Sequence, residues 1–187
     1  MKSHNGFEQA YNAQISVKTQ SMLITGNYVT DSSNDKQELS ANVEQAKSAA
    51  FTPNEVLSDC GYFSQEQVEL IEKSGDVTVF CAVKRETHGC RIEDLKGSKE
   101  QKILREDATI KQKMQHRLES AAGKALYRLR KQTVEPVFGI IKQAMGFRQF
   151  LTRGITNVSN EFNLICVSYN LKRLFTLNEL SKTMQTT

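Results

Sequence analysis

EVLSDCGYFSQEQVELIEKSGDVTVFCAVK, residues 55–84, reads as strand, turn, helix and strand in one run. EVLSD (55–59) is a short apolar segment closed by Gly61. SQEQVELIEKSG (64–75) is a helix: Ser64 suits the N-cap, Gln67 completes a capping-box pattern, and Gly75 stops it. DVTVFCAVK (76–84) is a further apolar strand.

Upstream, YNAQISVK (11–18) alternates, with Tyr11, Ala13, Ile15 and Val17 on one face, the period of a strand. MLITGNYVT (22–30) is a second strand, and Thr19, Gln20 and Ser21 between them suit a hairpin turn, so the pair is antiparallel. DSSND (31–35) is a turn, followed by a helix over about 36–50 with Leu39, Val43 and Ala46 at helical spacing; Pro53 ends the connection. An antiparallel pair followed by helix-linked strands predicts an α/β fold: a mixed sheet flanked by helices. Residues 1–9 are polar and read as a frayed end.

Downstream, 85–108 is polar, with Gly89 and Gly97, and reads as an insertion; a basic helix follows over 109–131, so that 85–126 joins the insertion to most of that helix. QTVEPVFGIIK (132–142) starts a new helix, because Pro136 is tolerated only in a first turn; it runs to about Met145 and stops at Gly146. FRQFLTRG (147–154) leads into a last helix over about 156–180, where Phe162, Ile165, Cys166, Tyr169 and Leu174 make an apolar stripe read as core.

The 187 residues suit one domain, and 39% hydrophobic with 25% charged content supports a real core rather than disorder. No apolar run approaches the roughly 18 residues of a membrane span, and no leader pattern follows Met1, so the expected setting is the cytoplasm, with no membrane partner. Cys60, Cys81, Cys90 and Cys166 are scattered without a C-x-x-C pair and read as reduced thiols, Cys81 and Cys166 as core residues. Zinc on Cys81, His88 and Cys90 lacks an evident fourth ligand. Charge is uneven. Residues 110–153 hold ten Lys/Arg against two acids, whereas 1–109 hold twelve against seventeen. A basic block of that size suits a polyanion partner, or else a solvated helical surface.

Two carboxylates have positions that allow chemistry. Asp59 ends a short apolar strand, and in open α/β sheets ligands collect outside the carboxyl ends of strands. An aspartate before a Gly-containing loop equally suits the opening of a turn. Glu135 sits one turn before Phe138, at the head of an apolar helix, with Lys142 on nearly the same face; it suits a catalytic pocket, or simply an acid favoured by the helix dipole. Carboxylates converging from separate elements would hold a hard divalent cation, and a basic surface beside them would hold a nucleic-acid backbone.

In order, YNAQISV, NDKQEL, VLSDCGYFS, YRLRKQTVEPVFGIIK, GFRQFLTRG and NLICVSYNLKRLF follow the C-terminal part of the catalytic domain of DDE-type transposases of bacterial insertion sequences. The resemblance covers roughly residues 6–176. It implies a ribonuclease H-like fold in which two aspartates and a glutamate bind Mg²⁺ or Mn²⁺ and the enzyme cuts and joins element ends in DNA transposition. Asp59 resembles the second aspartate and Glu135 the glutamate, which makes both implied catalytic residues and metal ligands. Tyr127, Arg130, Glu135 and Lys142 resemble the family's Y-R-E-K signature, whose basic members contact DNA phosphates. One branch has three residues between the arginine and the glutamate; here four intervene, so Lys131 competes with Arg130 for that position.

The fold's first strand, with its aspartate, would precede residue 11, where the ten residues contain no Asp. Asp31 and Asp35 lie after the second strand, and Asp35 matches a non-catalytic position of the family. The expectation is therefore a single ribonuclease H-like domain over 1–187, lacking its first strand, truncated at the N-terminus, with a helical C-terminal part. Such a fragment would be inactive alone, with transposon-end DNA and a second copy or a full-length transposase as partners. The alternative is a non-catalytic DNA-binding or transposase-inhibiting fragment.

Overall fold

Alternating strands, amphipathic helices and Gly-marked turns give a mixed α/β chain, and the computed structural model describes residues 2–3, 6–7, 10–48, 52–73, 75–83 and 108–185. The zinc reading falls partly outside these residues, as His88 and Cys90 do, and so does most of the polar insertion. The chain divides into two compact units: Met1–Asp35, Ala41–Pro53 and Lys131–Thr187 in the first, Lys36–Ser40 and Asn54–Arg130 in the second.

The first unit is built on a hairpin. A two-residue antiparallel pair, β1 (Lys2–Ser3) and β2 (Gly6–Phe7), precedes β3 (Asn12–Val17) and β4 (Ile24–Thr30), which pair antiparallel from Asn12↔Thr30 to Val17↔Ile24, with a bulge between Ser16 and Val17. The turn is wider than Thr19–Ser21 alone: Lys18 N donates to Leu23 O, Met22 N donates to Lys18 O, and Met22 takes φ 59, so it belongs to the turn and not to the second strand. Helix α1 (Glu38–Ser48) buries Leu39, Val43 and Ala46 as their spacing predicts. Its Ala41–Ser48 part lies against the hairpin in this unit, so close that a Cβ on Gly26 would stand 2.9 Å from Ala46 N. The other side of the hairpin meets α5 (Val134–Gly139) and α6 (Ile155–Gln185): Ile15, Ile24 and Val29 form one core with Val137, Ile141, Val158, Phe162, Ile165, Cys166 and Tyr169.

Helix α6 also binds the hairpin through polar groups. Asn170 accepts from Ile24 N at 2.9 Å and donates to Ile24 O at 2.8 Å, so one side-chain amide does the work of a neighbouring strand. Tyr169 donates to Met22 O at 3.0 Å and Arg173 to Ser21 O at 2.8 Å. Leu174, expected in the core stripe, is half exposed instead. At 100° per residue it lies well round the helix from Phe162, Ile165 and Tyr169.

In the second unit β5 (Glu55–Ser58) and β6 (Thr78–Cys81) pair in parallel from Glu55↔Thr78 to Ser58↔Cys81, joined through α2 (Gln65–Glu72), which buries Val68 and Ile71. Ser64 occupies the N-cap of α2 without a side-chain cap bond; Gln67 accepts instead from Ser40 N and from the Ser40 hydroxyl, so the predicted capping box does not form. Helix α3 (Ile110–Glu119) packs Met114 against β6, with Cys81 N donating to its sulfur, and Arg117 donates to Glu72 and to Val79 O, both at 2.5 Å.

The single basic helix expected over 109–131 is in fact α3 and α4 (Ala121–Leu129), parted at Ser120. Ser120 has an extended backbone (ψ 153); its hydroxyl donates to Arg117 O and accepts from Gly123 N, so local bonds replace the continuing ladder. A Cβ on Gly123 would fall 1.9 Å from Arg117 O, so that turn admits no larger residue without moving.

The predicted continuous mixed sheet is not seen. The described strands pair as three separate two-stranded sheets. Helices supply what further strands would: Asn170 takes the main-chain groups of Ile24, and Met114 takes the amide of Cys81.

Candidate active site

Asp59 follows the last residue of β5, where both parallel strands end together at Ser58↔Cys81. This is the carboxyl edge at which α/β sheets place ligands. Its backbone is extended (φ −84, ψ 177), and its side chain caps a short 3-10 turn, Cys60–Tyr62, by accepting from Gly61 N at 2.8 Å. The turn-opening reading of Asp59 is therefore realised. It does not exhaust the carboxylate, which has about four acceptor sites. The Asp59 carbonyl accepts from the Cys81 thiol at 3.0 Å, which ties the end of β5 to the end of β6.

The Cys81 thiol reports its surroundings. Burial above all pushes its pKa up to about 11; Asp59 adds to the rise, and Arg130 opposes it. Arg130 is the C-cap of α4, and its guanidinium lies over the Tyr127 ring, 5.4 Å from the centroid. Asp59, Tyr127 and Arg130 belong to one unit.

Lys131, Glu135 and Lys142 belong to the other. Lys131 is exposed in the 3-10 turn Arg130–Gln132. Glu135 is exposed in the first turn of α5, one residue before Pro136, whose missing N–H falls where a helix has no acceptor for it. From Ile140 to Ala144 the helix widens into a π turn, closed by Met145 N donating to Ile140 O, and Gly146 at φ 82 stops it as expected. Val137 and Ile141 face the core, and Glu135 and Lys142 are both left exposed. The Lys142 ammonium lies 5.5 Å from the centroid of Phe138.

Asp35 is accounted for structurally. Its Oδ1 accepts from Asn12 at 2.6 Å and from Gln14 at 2.9 Å, and Asn42 donates to Gln14. That amide network fills the space between β3 and α1. No sequence pattern marked Asn12 and Gln14 for it, because an apolar strand face was the only signal there.

Hard divalent ions take oxygen ligands, and Asp59 and Glu135 are chemically suited to supply them. Transposase DDE domains generally use such ions. Among the described residues, however, no group of three or more His, Cys, Asp or Glu side chains is arranged to hold one. Among the same residues no helix is long and apolar enough to cross a membrane.

No curated protein and no solved structure gives a match to the chain. A family model described as transposase DDE domain matches residues 81–175, half of the chain, a span that includes Tyr127, Arg130, Lys131, Glu135 and Lys142 and begins after Asp59. On that match the chain belongs to the transposase DDE domain family, as its sequence motifs imply.

Proposed function

We propose that this chain contributes part of a ribonuclease H-like catalytic domain that acts on DNA ends in transposition by metal-dependent phosphodiester chemistry. The observation that carries the reading is Asp59 at the carboxyl end of the parallel pair, in a chain of this family. In this reading Asp59 and Glu135 supply carboxylate oxygens to Mg²⁺ or Mn²⁺. Two such ions, held there, would supply activation of an attacking oxygen and stabilisation of a leaving oxygen at phosphorus. Arg130, Lys131 and Lys142 neutralise backbone phosphates, and Tyr127 supports Arg130 by stacking beneath it. Uptake of Mn²⁺ by the protein, followed by calorimetry, should weaken in Asp59→Ala and in Glu135→Gln. Glu135→Gln should abolish any metal-dependent nicking while leaving DNA binding within a few-fold. Nicking that survives the change refutes the assignment.

A second reading is a DNA-binding or transposase-inhibiting role without catalysis, supported by the exposed Lys131 and Lys142. Both readings share the phosphate contacts, and cleavage separates them. Salt-dependent DNA binding with no Mg²⁺-dependent product supports the second. In either case each of Arg130→Ala, Lys131→Ala and Lys142→Ala should reduce the slope of log affinity against log salt by about 0.9, the value for one phosphate contact.

A further inference from the structure

The loop that leads into α6, residues 147–154, is tied down at several points. The Glu161 carboxylate collects three donors from it: Leu151 N at 2.8 Å, Thr152 N at 2.9 Å and the Thr152 hydroxyl at 2.7 Å. Gly154 N donates to the Tyr11 hydroxyl at 2.9 Å, and Phe147 N donates to Ile141 O at 3.1 Å. Phe150 meets the rings of Tyr11 and Phe162 edge to face. Leu151 is the exception. It is 82% exposed, the highest value for a large apolar side chain among the described residues. A leucine left in water adds nothing to the core, and a pliant loop would fold it onto the surface. Here one carboxylate fixes the amides on both sides of its Cα, so the backbone is held while the side chain stands in water.

The charge around it has one sign. Residues 136–160 contain Lys142, Arg148 and Arg153 and no acid, and all three cations are exposed. Glu161, the first acid beyond, is occupied by the loop's own amides. Leu151 thus stands three residues after one arginine and two before another. That combination suits a polyanion with apolar surface between its charges. Duplex DNA is such a partner: its phosphates take arginine, and leucine is among the side chains that wedge between base steps. A wedge needs a fixed backbone, because ordering a loose loop on binding costs entropy that offsets the contact. An anionic lipid surface also takes basic and apolar groups together, but binding there scales with buried apolar area, of which one leucine supplies little.

We infer that residues 147–154 form a DNA-contact loop in which Leu151 wedges into a base step, Arg148 and Arg153 take the phosphates flanking that step, and Glu161 is the positioning residue that fixes the loop. The loop's role rests on the reading that the chain binds DNA, and it is separate from the metal chemistry and from the Y-R-E-K residues.

The probe is a duplex of roughly 20 base pairs, about two helical turns, with 2-aminopurine replacing adenine at TA steps, which unstack readily. Anisotropy of this duplex with the full chain reads binding. The 2-aminopurine fluorescence, taken at saturating protein for each variant, reads unstacking. The parent should raise it several-fold. Leu151→Met should keep the rise and Leu151→Ala should lose it, with circular dichroism unchanged because Leu151 lies outside the core. Glu161→Ala should lose the rise as well, and Glu161→Gln, which still accepts through its amide oxygen, should keep part of it. Arg148→Ala and Arg153→Ala should each lower the slope of log affinity against log salt by about 0.9. Binding with no rise, or a rise undiminished in Leu151→Ala, overturns the wedge and leaves the DNA reading standing. Absence of salt-dependent binding by the parent overturns both. Uptake on phosphatidylglycerol vesicles that Leu151→Ala abolishes, with no rise on DNA, makes the loop a lipid contact and overturns the proposal.

Discussion

Asn170→Ala gives the sharpest test of how the hairpin is held. The amide takes both main-chain groups of Ile24, which is 7% exposed, so the alanine leaves an N–H and a C=O that water reaches poorly. Each lost bond is worth about 1 kcal/mol net, and a poorly hydrated orphan adds to that, so the total is about 2–3 kcal/mol. Against an ordinary stability of roughly 5–15 kcal/mol that is a large fraction. At about 2–4 °C per kcal/mol for a chain of this size, the melting temperature should fall by about 4–12 °C. The assay is thermal unfolding by circular dichroism, joined to amide exchange at Ile24. Asn170→Asp separates the two bonds: the carboxylate still accepts from Ile24 N but meets Ile24 O as acceptor against acceptor. Ile24 exchange should stay slow in Asn170→Asp and become fast in Asn170→Ala. Equal melting of Asn170→Ala and parent to within a degree, with Ile24 still protected, would refute the idea that a side chain substitutes for a strand here.

Other expectations follow from the same geometry. Glu161 accepts from Leu151 N, from the Thr152 hydroxyl and from Thr152 N, and these bonds hold its carboxyl below the usual 4.5. A lowered folded pKa means the contribution is complete above about pH 4.5 and is lost as pH falls through the folded value, so the Leu151 and Thr152 amide resonances should titrate with a midpoint below 4.5, and not at all in Glu161→Gln. Asp35→Ala should cost about 1–3 kcal/mol, because Asn12 and Gln14 lose their shared acceptor, while Mn²⁺ uptake stays as in the parent; loss of uptake would make Asp35 a ligand after all. Burial pushes the Cys166 thiol up to about 12, as it does Cys81 to about 11, so at pH 8 a thiol reagent followed by mass spectrometry should modify half-buried Cys60 and spare both; rapid labelling of Cys81 or Cys166 would contradict their burial.

The sequence by itself determined the local elements. Period-two alternation located β3, continuous apolar runs located β5 and β6, and Pro136, Gly75 and Gly146 marked one start and two stops, because these signals act within a few residues of where they are read. The order of six motifs was enough to imply the family, and with it Asp59 and Glu135. What only the tertiary structure decided depends on groups distant in sequence. Ser64 and Gln67 satisfy a cap pattern, but Ser40, 27 residues upstream of Gln67, takes the amide. Leu174 is as apolar as Ile165, yet only packing told buried core from exposed surface. Asn170 carries no pattern that names Ile24, 146 residues away, as its partner. A buried main-chain group takes whichever acceptor or donor the fold delivers to it, and that choice is made in space rather than along the chain.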